Sequence, residues 1–360
     1  MSEPGALLAT ARSAVGRRRW ADAHAAYTAV GDLSLLSADD LAAFADCAWW
    51  LCRVDESVAL GTRAFGAFLR AGRPRSAATA ALGVAVNQLM RGEDVAGSGW
   101  LGRAAELLAD EPECVEQGYL TYLLEVECAF GDPDREAVLA AARRVRELGR
   151  RLGDATLVAS GLLGEGRVLV RQGHVREGMA RFDEAMVSVV SGEVLPEWAG
   201  NIYCHLMSAS YELADLRRAW SWVRATSRWL ETLPLAATYP GMCRVHRAQV
   251  LQVAGDWERS EAEAARACTE LEGVAVLPAA EGHYLLGELA RMRGRRAAAE
   301  ESYRRAHHLG RDPQPGLALL RLGQGRAGTA AASIRSALLA ETVDPLSLDP
   351  PSILVESASA

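Results

Sequence analysis

Nine times along this chain a turn is followed by a helix that carries small residues at a fixed beat, and in the clearest copies an aromatic stands four positions after the small residue and an alanine seven. The clearest copies are Gly178, Phe182 and Ala185, after the turn Gln172-Gly173-His174, and Ala299, Tyr303 and Ala306, after Arg293-Gly294-Arg295. The matching small residues elsewhere are Ala23, Ser57, Gly97, Ala137, Ala219, Ser260 and Ala330, most of them about forty residues apart. That period belongs to helix pairs, each of which buries its apolar stripe only by stacking on its neighbours. The small residue lets two helices cross closely, and the aromatic one turn later fills the space beyond the crossing.

Each unit therefore reads as a helix A, a short turn and a helix B. In the fifth unit the spacing predicts helix A over 154–171, with Leu162, Gly166 and Leu169 on one stripe. Glycine follows it at 173, where a helix C-terminus favours a left-handed residue. Links between units carry Pro196, Pro234, Pro240, Pro278, Pro313 and Pro315, which stop one helix and suit the start of the next. The last unit is cramped, with helix A expected over 314–322 and helix B over 326–340. The repeat domain thus spans 1–341, and 342–360, rich in proline and serine, reads as a flexible tail. Half of the residues are hydrophobic and only 6% aromatic, which suits close helix packing and not alternating strands.

The formal charge of −7 argues against a nucleic-acid surface, since that needs clustered positive charge. Every base is arginine, and without lysine neither a Schiff base nor a phosphate loop ending in Gly-Lys-Ser/Thr can form. Seven cysteines without a Cys-x-x-Cys pair fit reduced thiols of a cytoplasmic protein. The N-terminus lacks the basic flank and apolar run of a signal peptide, and no apolar stretch reaches membrane-spanning length, so no membrane partner is expected.

Three stretches sharpen the reading. They are Ala48-Trp49-Trp50-Leu51, then Gly99-Trp100-Leu101-Gly102-Arg103-Ala104 with the following Cys114-Val115-Glu116-Gln117-Gly118-Tyr119, and Pro313-Gln314-Pro315-Gly316-Leu317. With the repeat beat they resemble the tetratricopeptide-repeat module of actinobacterial LuxR-type transcriptional regulators, over nearly the whole chain. The units exceed the thirty-four residues usual for that repeat. The resemblance implies an all-α, right-handed tetratricopeptide-like α-solenoid of about nine helix pairs. It covers the sensor or scaffold part, not the C-terminal helix-turn-helix, so DNA binding does not carry over.

In that geometry the A helices line a concave groove. Phasing from the small residues places Trp49, Trp50, Tyr119, Tyr122, Arg167, Arg171, Tyr211, Glu212, Gln249, Tyr284 and Arg291 on it, with Gln252 and Glu288 beside them. Aromatics at one end and paired arginines at the centre suit an extended peptide with apolar anchors and a carboxylate. Arg167 and Arg171, four apart, are expected to project together into the groove, beside Glu165 and Glu212. Trp49 and Trp50 face about 100° apart, so at most one of them is fully core.

Cys204, His205, Cys243, His246 and His283 fall on successive A helices, where a zinc site is geometrically conceivable but atypical; neither metal nor cofactor is expected. His307 and His308 end a helix, where positive charge suits the dipole. No G-x-S-x-G, H-E-x-x-H or glycine-rich phosphate loop is present, which leaves catalysis without a candidate residue. The chain thus reads as a non-catalytic scaffold for a protein or peptide partner in bacterial regulation. A small-molecule sensor is the second reading and an enzyme the third, with a homodimer left open.

Overall fold

The computed structural model describes residues 3–129, 131, 134–233 and 238–343; the expected tail lies outside them from residue 344 onward. Among the described residues are eighteen α-helices and no strand, and the helices fall into nine antiparallel pairs. The first three pairs are α1 (Glu3–Gly16) with α2 (Trp20–Val30), α3 (Ala38–Trp50) with α4 (Val54–Arg70), and α5 (Pro74–Met90) with α6 (Asp94–Leu108). The fourth joins α7 (Val115–Thr121), continued by a π-helical segment Tyr122–Glu127, to α8 (Arg135–Leu152). Then come α9 (Ala155–Arg171) with α10 (Val175–Val190), and α11 (Pro196–Glu212) with α12 (Leu216–Glu231). The last three are α13 (Thr238–Val253) with α14 (Trp257–Leu271), α15 (Val276–Met292) with α16 (Arg296–His308), and α17 (Gly316–Gly323) with α18 (Ala327–Val343).

Local chemistry sets these boundaries. Pro74 and Pro196 open α5 and α11, where a missing N–H costs nothing. Asp134, Asp154, Asp215 and Asp256 cap helices by accepting from the backbone N–H three residues on, at 3.1, 2.7, 3.1 and 3.3 Å. Gly173 ends the α9 turn at φ 85°, a conformation that a side chain would strain.

The repeat beat is a packing device. A Cβ built on Gly178 would lie 2.7 Å from the Gly166 carbonyl oxygen, so α10 crosses α9 backbone to backbone. Phe182, fully buried, fills the space beside Gly166. Ala23, Ser57, Gly97, Ala219, Ser260, Ala299 and Ala330 are buried in the same way.

Ala137 departs from the pattern: it is exposed, and Val138, Ala141 and Ala142 form the buried stripe of α8. The partner helix α7 is only seven residues long before it widens into the π segment. Helix α8 therefore leans on α9 of the next unit. A Cβ on Gly164 would lie 2.9 Å from the Ala142 Cβ, and one on Gly161 2.6 Å from the Arg146 backbone nitrogen.

The stack curves until it meets itself. Met90, ending α5, packs against a cluster containing Val245, Leu271 and Ala279, and a Cβ on Gly92 would stand 3.9 Å from Val276 Cγ2. The third unit thus touches the seventh and eighth, and the concave face becomes the wall of an inner channel.

Candidate functional site

The channel has a volume of about 2650 Å³, and its walls are drawn from residues between Arg18 and Leu319. Most of the lining comes from A helices, because their inner faces point to the axis of the superhelix. Of the eleven residues that phasing placed on the groove, ten line the channel.

Arg291 is the exception. Its guanidinium turns to Glu288 at 2.7 Å, one helical turn back, and stays out of the lining.

Aromatic rings crowd the wall near units one to six. Trp20 and Trp50 stack with centroids 5.4 Å apart, and Trp49 meets Trp50 edge-on at 4.8 Å. Trp50 is buried while Trp49 is half-buried, as their 100° separation on α3 requires. From α11, Trp198 stacks on Tyr119 at 5.0 Å and meets Tyr122 edge-on at 5.5 Å.

Two carboxylates share this aromatic end, Asp46 of α3 and Glu197 of α11. Asp46 is open to the water of the channel but enclosed by its walls. That enclosure, with the like charge of Glu197, pushes its carboxyl up to about 7. Burial raises Glu197 as well. Sequence phasing missed both, although Asp46 stands three residues before Trp49, on the same face of α3.

The middle of the channel corrects the expectation for the paired arginines. Arg167 is only 7% exposed and ion-paired, its Nη1 donating to Glu127 Oε2 at 2.7 Å. The Tyr122 hydroxyl donates to the same carboxylate oxygen at 3.1 Å. Burial works against the Glu127 charge, but Arg167, His205 and these hydrogen bonds prevail and hold the carboxyl down at about 2. The partner that Arg167 needs thus comes from the neighbouring A helix. Arg171, one turn on, is exposed on the channel wall, where Glu212 offsets part of the cost of its enclosure.

Glu165 does not join this cluster. Its side chain, 2% exposed, faces Arg146 at 3.0 Å and Arg181 at 3.5 Å on the B-helix side. His205 stands 3.7 Å from Glu127, and burial followed by the Arg167 charge lowers its pKa to about 3, so it is neutral at pH 7.

Beyond it, Cys204 of α11 and His246 of α13 line the channel where those two helices pack together, and Cys243 is buried outside the lining. His283 lies outside the channel lining. Among the described residues no group of three or more His, Cys, Asp or Glu is arranged to hold a metal ion. At the far end Arg311 packs over the Tyr284 ring, 4.2 Å from its centroid, and pairs with Glu281. No helix among the described residues is long and apolar enough to cross a membrane.

Nine stacked antiparallel helix pairs around a concave channel define an all-α helical-repeat protein. No family model matches the chain, and no curated protein matches it. Among solved structures it is similar to the crystal structure of the yeast Tom70, at 12% identity and a TM-score of 0.35 over 92% of this chain and 91% of that one.

Proposed function

We propose that this chain is a non-catalytic scaffold whose channel holds one extended peptide, anchored by a basic side chain at the aromatic end. The observation that carries the reading is size. Pockets for small molecules measure about 300–1,000 Å³, whereas the channel offers about 2650 Å³ along walls supplied by successive units. A basic side chain suits the aromatic end because ring faces and carboxylates both attract a cation. Asp46, whose ionisation burial and the charge of Glu197 oppose, gains from one.

The motifs shared with the repeat module of actinobacterial LuxR-type regulators support a place in bacterial transcriptional or pathway regulation. On that reading the chain works in the cytoplasm through the segment it holds, not by contacting DNA. A second reading, an organic-cation sensor, is favoured by the same aromatic and acidic end taken alone.

Display selection of twelve-residue peptides on the intact chain tests the proposal, followed by titration of the winners by tryptophan fluorescence. Peptides carrying arginine or lysine should be enriched, and Asp46→Asn should weaken them about tenfold, or about 1.4 kcal/mol. Native mass spectrometry showing a retained small cation, with no peptide selected, would establish the second reading instead.

A further inference from the structure

Charged side chains tie each unit to the next along most of the stack. Arg12 of α1 pairs with Asp40 of α3 at 2.7 Å, and Arg218 of α12 with Asp183 of α10 at 2.6 Å. Arg293, just after α15, meets Glu261 of α14 at 2.8 Å. Ion pairs likewise link the stack from unit two to unit five, and Arg296 donates to the Gly323 carbonyl oxygen between units eight and nine.

The junction of units six and seven differs. Among the described residues no ion pair crosses it, because the arginines of α13 turn to their own unit: Arg244 and Arg247 both pair with Glu263 of α14. The hydrogen bond that does cross, from the Tyr211 hydroxyl to Gln252 Oε1, spans 3.5 Å. Packing there is apolar. Cys243 and Val250 of α13 join the core that runs through units one to six, while Val245 and Ala248 belong to separate cores shared with α14 and α15. Apolar contact is non-directional and lets one surface turn on another, whereas ion pairs fix the geometry of their partners.

The far side of units seven and eight is held by a small contact. Met90, at the end of α5, seats on the cluster of Val245, Leu271 and Ala279, and Gly92 faces Val276. Here the stack meets itself, so parting this contact opens the channel along its side.

We propose that units seven to nine swing as one body about the α11–α13 contact, with Met90 the latch that closes them over the channel, a device that rests on the peptide reading only for what it admits. Trp20, Asp46, Trp49, Tyr119 and Trp198 all belong to units one to six, so the open chain keeps its aromatic end assembled. Gln249, Glu281, Tyr284 and Arg311 ride on the moving body and meet the peptide on closing. A basic side chain thus docks first, and the remainder of the peptide is enclosed from the side without threading through an end.

Small-angle X-ray scattering of the intact chain reads the motion without any peptide. Met90→Asp sets a charge against the apolar cluster and should release the latch, raising the radius of gyration while helical circular dichroism is unchanged. Met90→Leu should keep the closed value. An unchanged radius in a helical Met90→Asp chain would overturn the proposal. Should Met90→Asp lose its helices, Met90→Ala, which deletes the contact and adds no charge, decides in the same way. A selected arginine-bearing peptide should associate about tenfold faster with the opened chain, followed by stopped-flow tryptophan fluorescence. Equal rates in an opened chain would overturn the entry route and leave the peptide reading intact. A chain that opens but takes up no selected peptide ends that reading and keeps the hinge.

Discussion

Arg167 donates to Glu127 at 2.7 Å, and the forty residues between them are one period of the repeat. The pair therefore locks the A helices of units four and five to each other at the channel wall. Removing one member leaves the other enclosed without its counter-charge, which costs about 3–5 kcal/mol for fully buried pairs. Glu127 keeps 32% of its side chain exposed, so the lower end applies. Arg167→Gln should cost about 2–3 kcal/mol, and adding Glu127→Gln should recover more than half of it. Urea unfolding of both variants reads the difference. A loss that the second substitution leaves untouched would mean that the pair is not the source.

The same contact has a pH signature. Glu127 is held at about 2 in the folded chain, below the ordinary glutamate value of 4.5. A depressed carboxyl contributes stability that is fully present above the unfolded value and is lost as pH falls through the folded one. The stability difference between the unsubstituted chain and the Arg167→Gln/Glu127→Gln double variant should thus shrink between pH 4.5 and 2. Chemical denaturation at closely spaced pH values follows it, and a difference that stays level across that window contradicts the assignment.

Two glycines separate packing from propensity. At Gly178 a Cβ would meet the Gly166 carbonyl oxygen and Val170 Cγ2 at 2.7 Å, whereas at Gly99, in α6, nothing lies within 4 Å. Gly99→Ala should raise stability by about 0.5–1 kcal/mol, the helical preference for alanine. Gly178→Ala should lower it by about 1–3 kcal/mol, because the clash outweighs that preference. Opposite shifts in melting temperature are the expected result; two increases would mean that α9 and α10 can move apart at no cost.

The repeat was legible because it is written in local chemistry. Gly173 turns, Asp154 and Asp215 caps, and the Gly178–Phe182–Ala185 beat each act within a few residues, and together they place nine helix pairs. Unit four escaped, since the widening of Tyr122–Glu127 into a π-helical segment is carried by no turn residue or period and shifts the packing of Ala137 out of register. Phasing also found which faces look inward, as Trp49, Tyr119 and Arg171 illustrate. It could not find what meets across the channel. Asp46 and Glu197 are about 150 residues apart, and the charge of Glu197 reaches Asp46 only because the stack closes on itself. The carboxylate that Arg167 meets was hidden for a related reason: it sits on a neighbouring helix whose π-helical geometry leaves no mark in the residue pattern.

The channel carboxylates give the last prediction. Asp46 is raised from the ordinary 3.8 to about 7, by enclosure first and the charge of Glu197 second. A raised carboxyl contributes stability that is complete below the unfolded value and is lost as pH climbs through the folded one. Between pH 3.8 and 7 the chain free of peptide should therefore weaken as Asp46 is forced to ionise, and Asp46→Asn should remove that part of the decline. The variant's advantage in melting temperature is expected to be larger at pH 8 than at pH 5.

A cation in the aromatic end reverses the sense, since it favours the ionised carboxylates and binds best once Asp46 has lost its proton. Affinity for an arginine-bearing peptide should rise as pH passes through about 7, and the rise should flatten in Asp46→Asn. Glu197, Arg18, which acts on Glu197, and Asp154, which accepts from the Tyr119 hydroxyl, also carry charge at this end, and all three remain in the variant. Isothermal titration at pH 6 and pH 8, on the unsubstituted chain and the variant, measures both slopes. An affinity independent of pH in the unsubstituted chain would move the basic side chain away from Asp46, while an undiminished slope in the variant would assign the proton to another group.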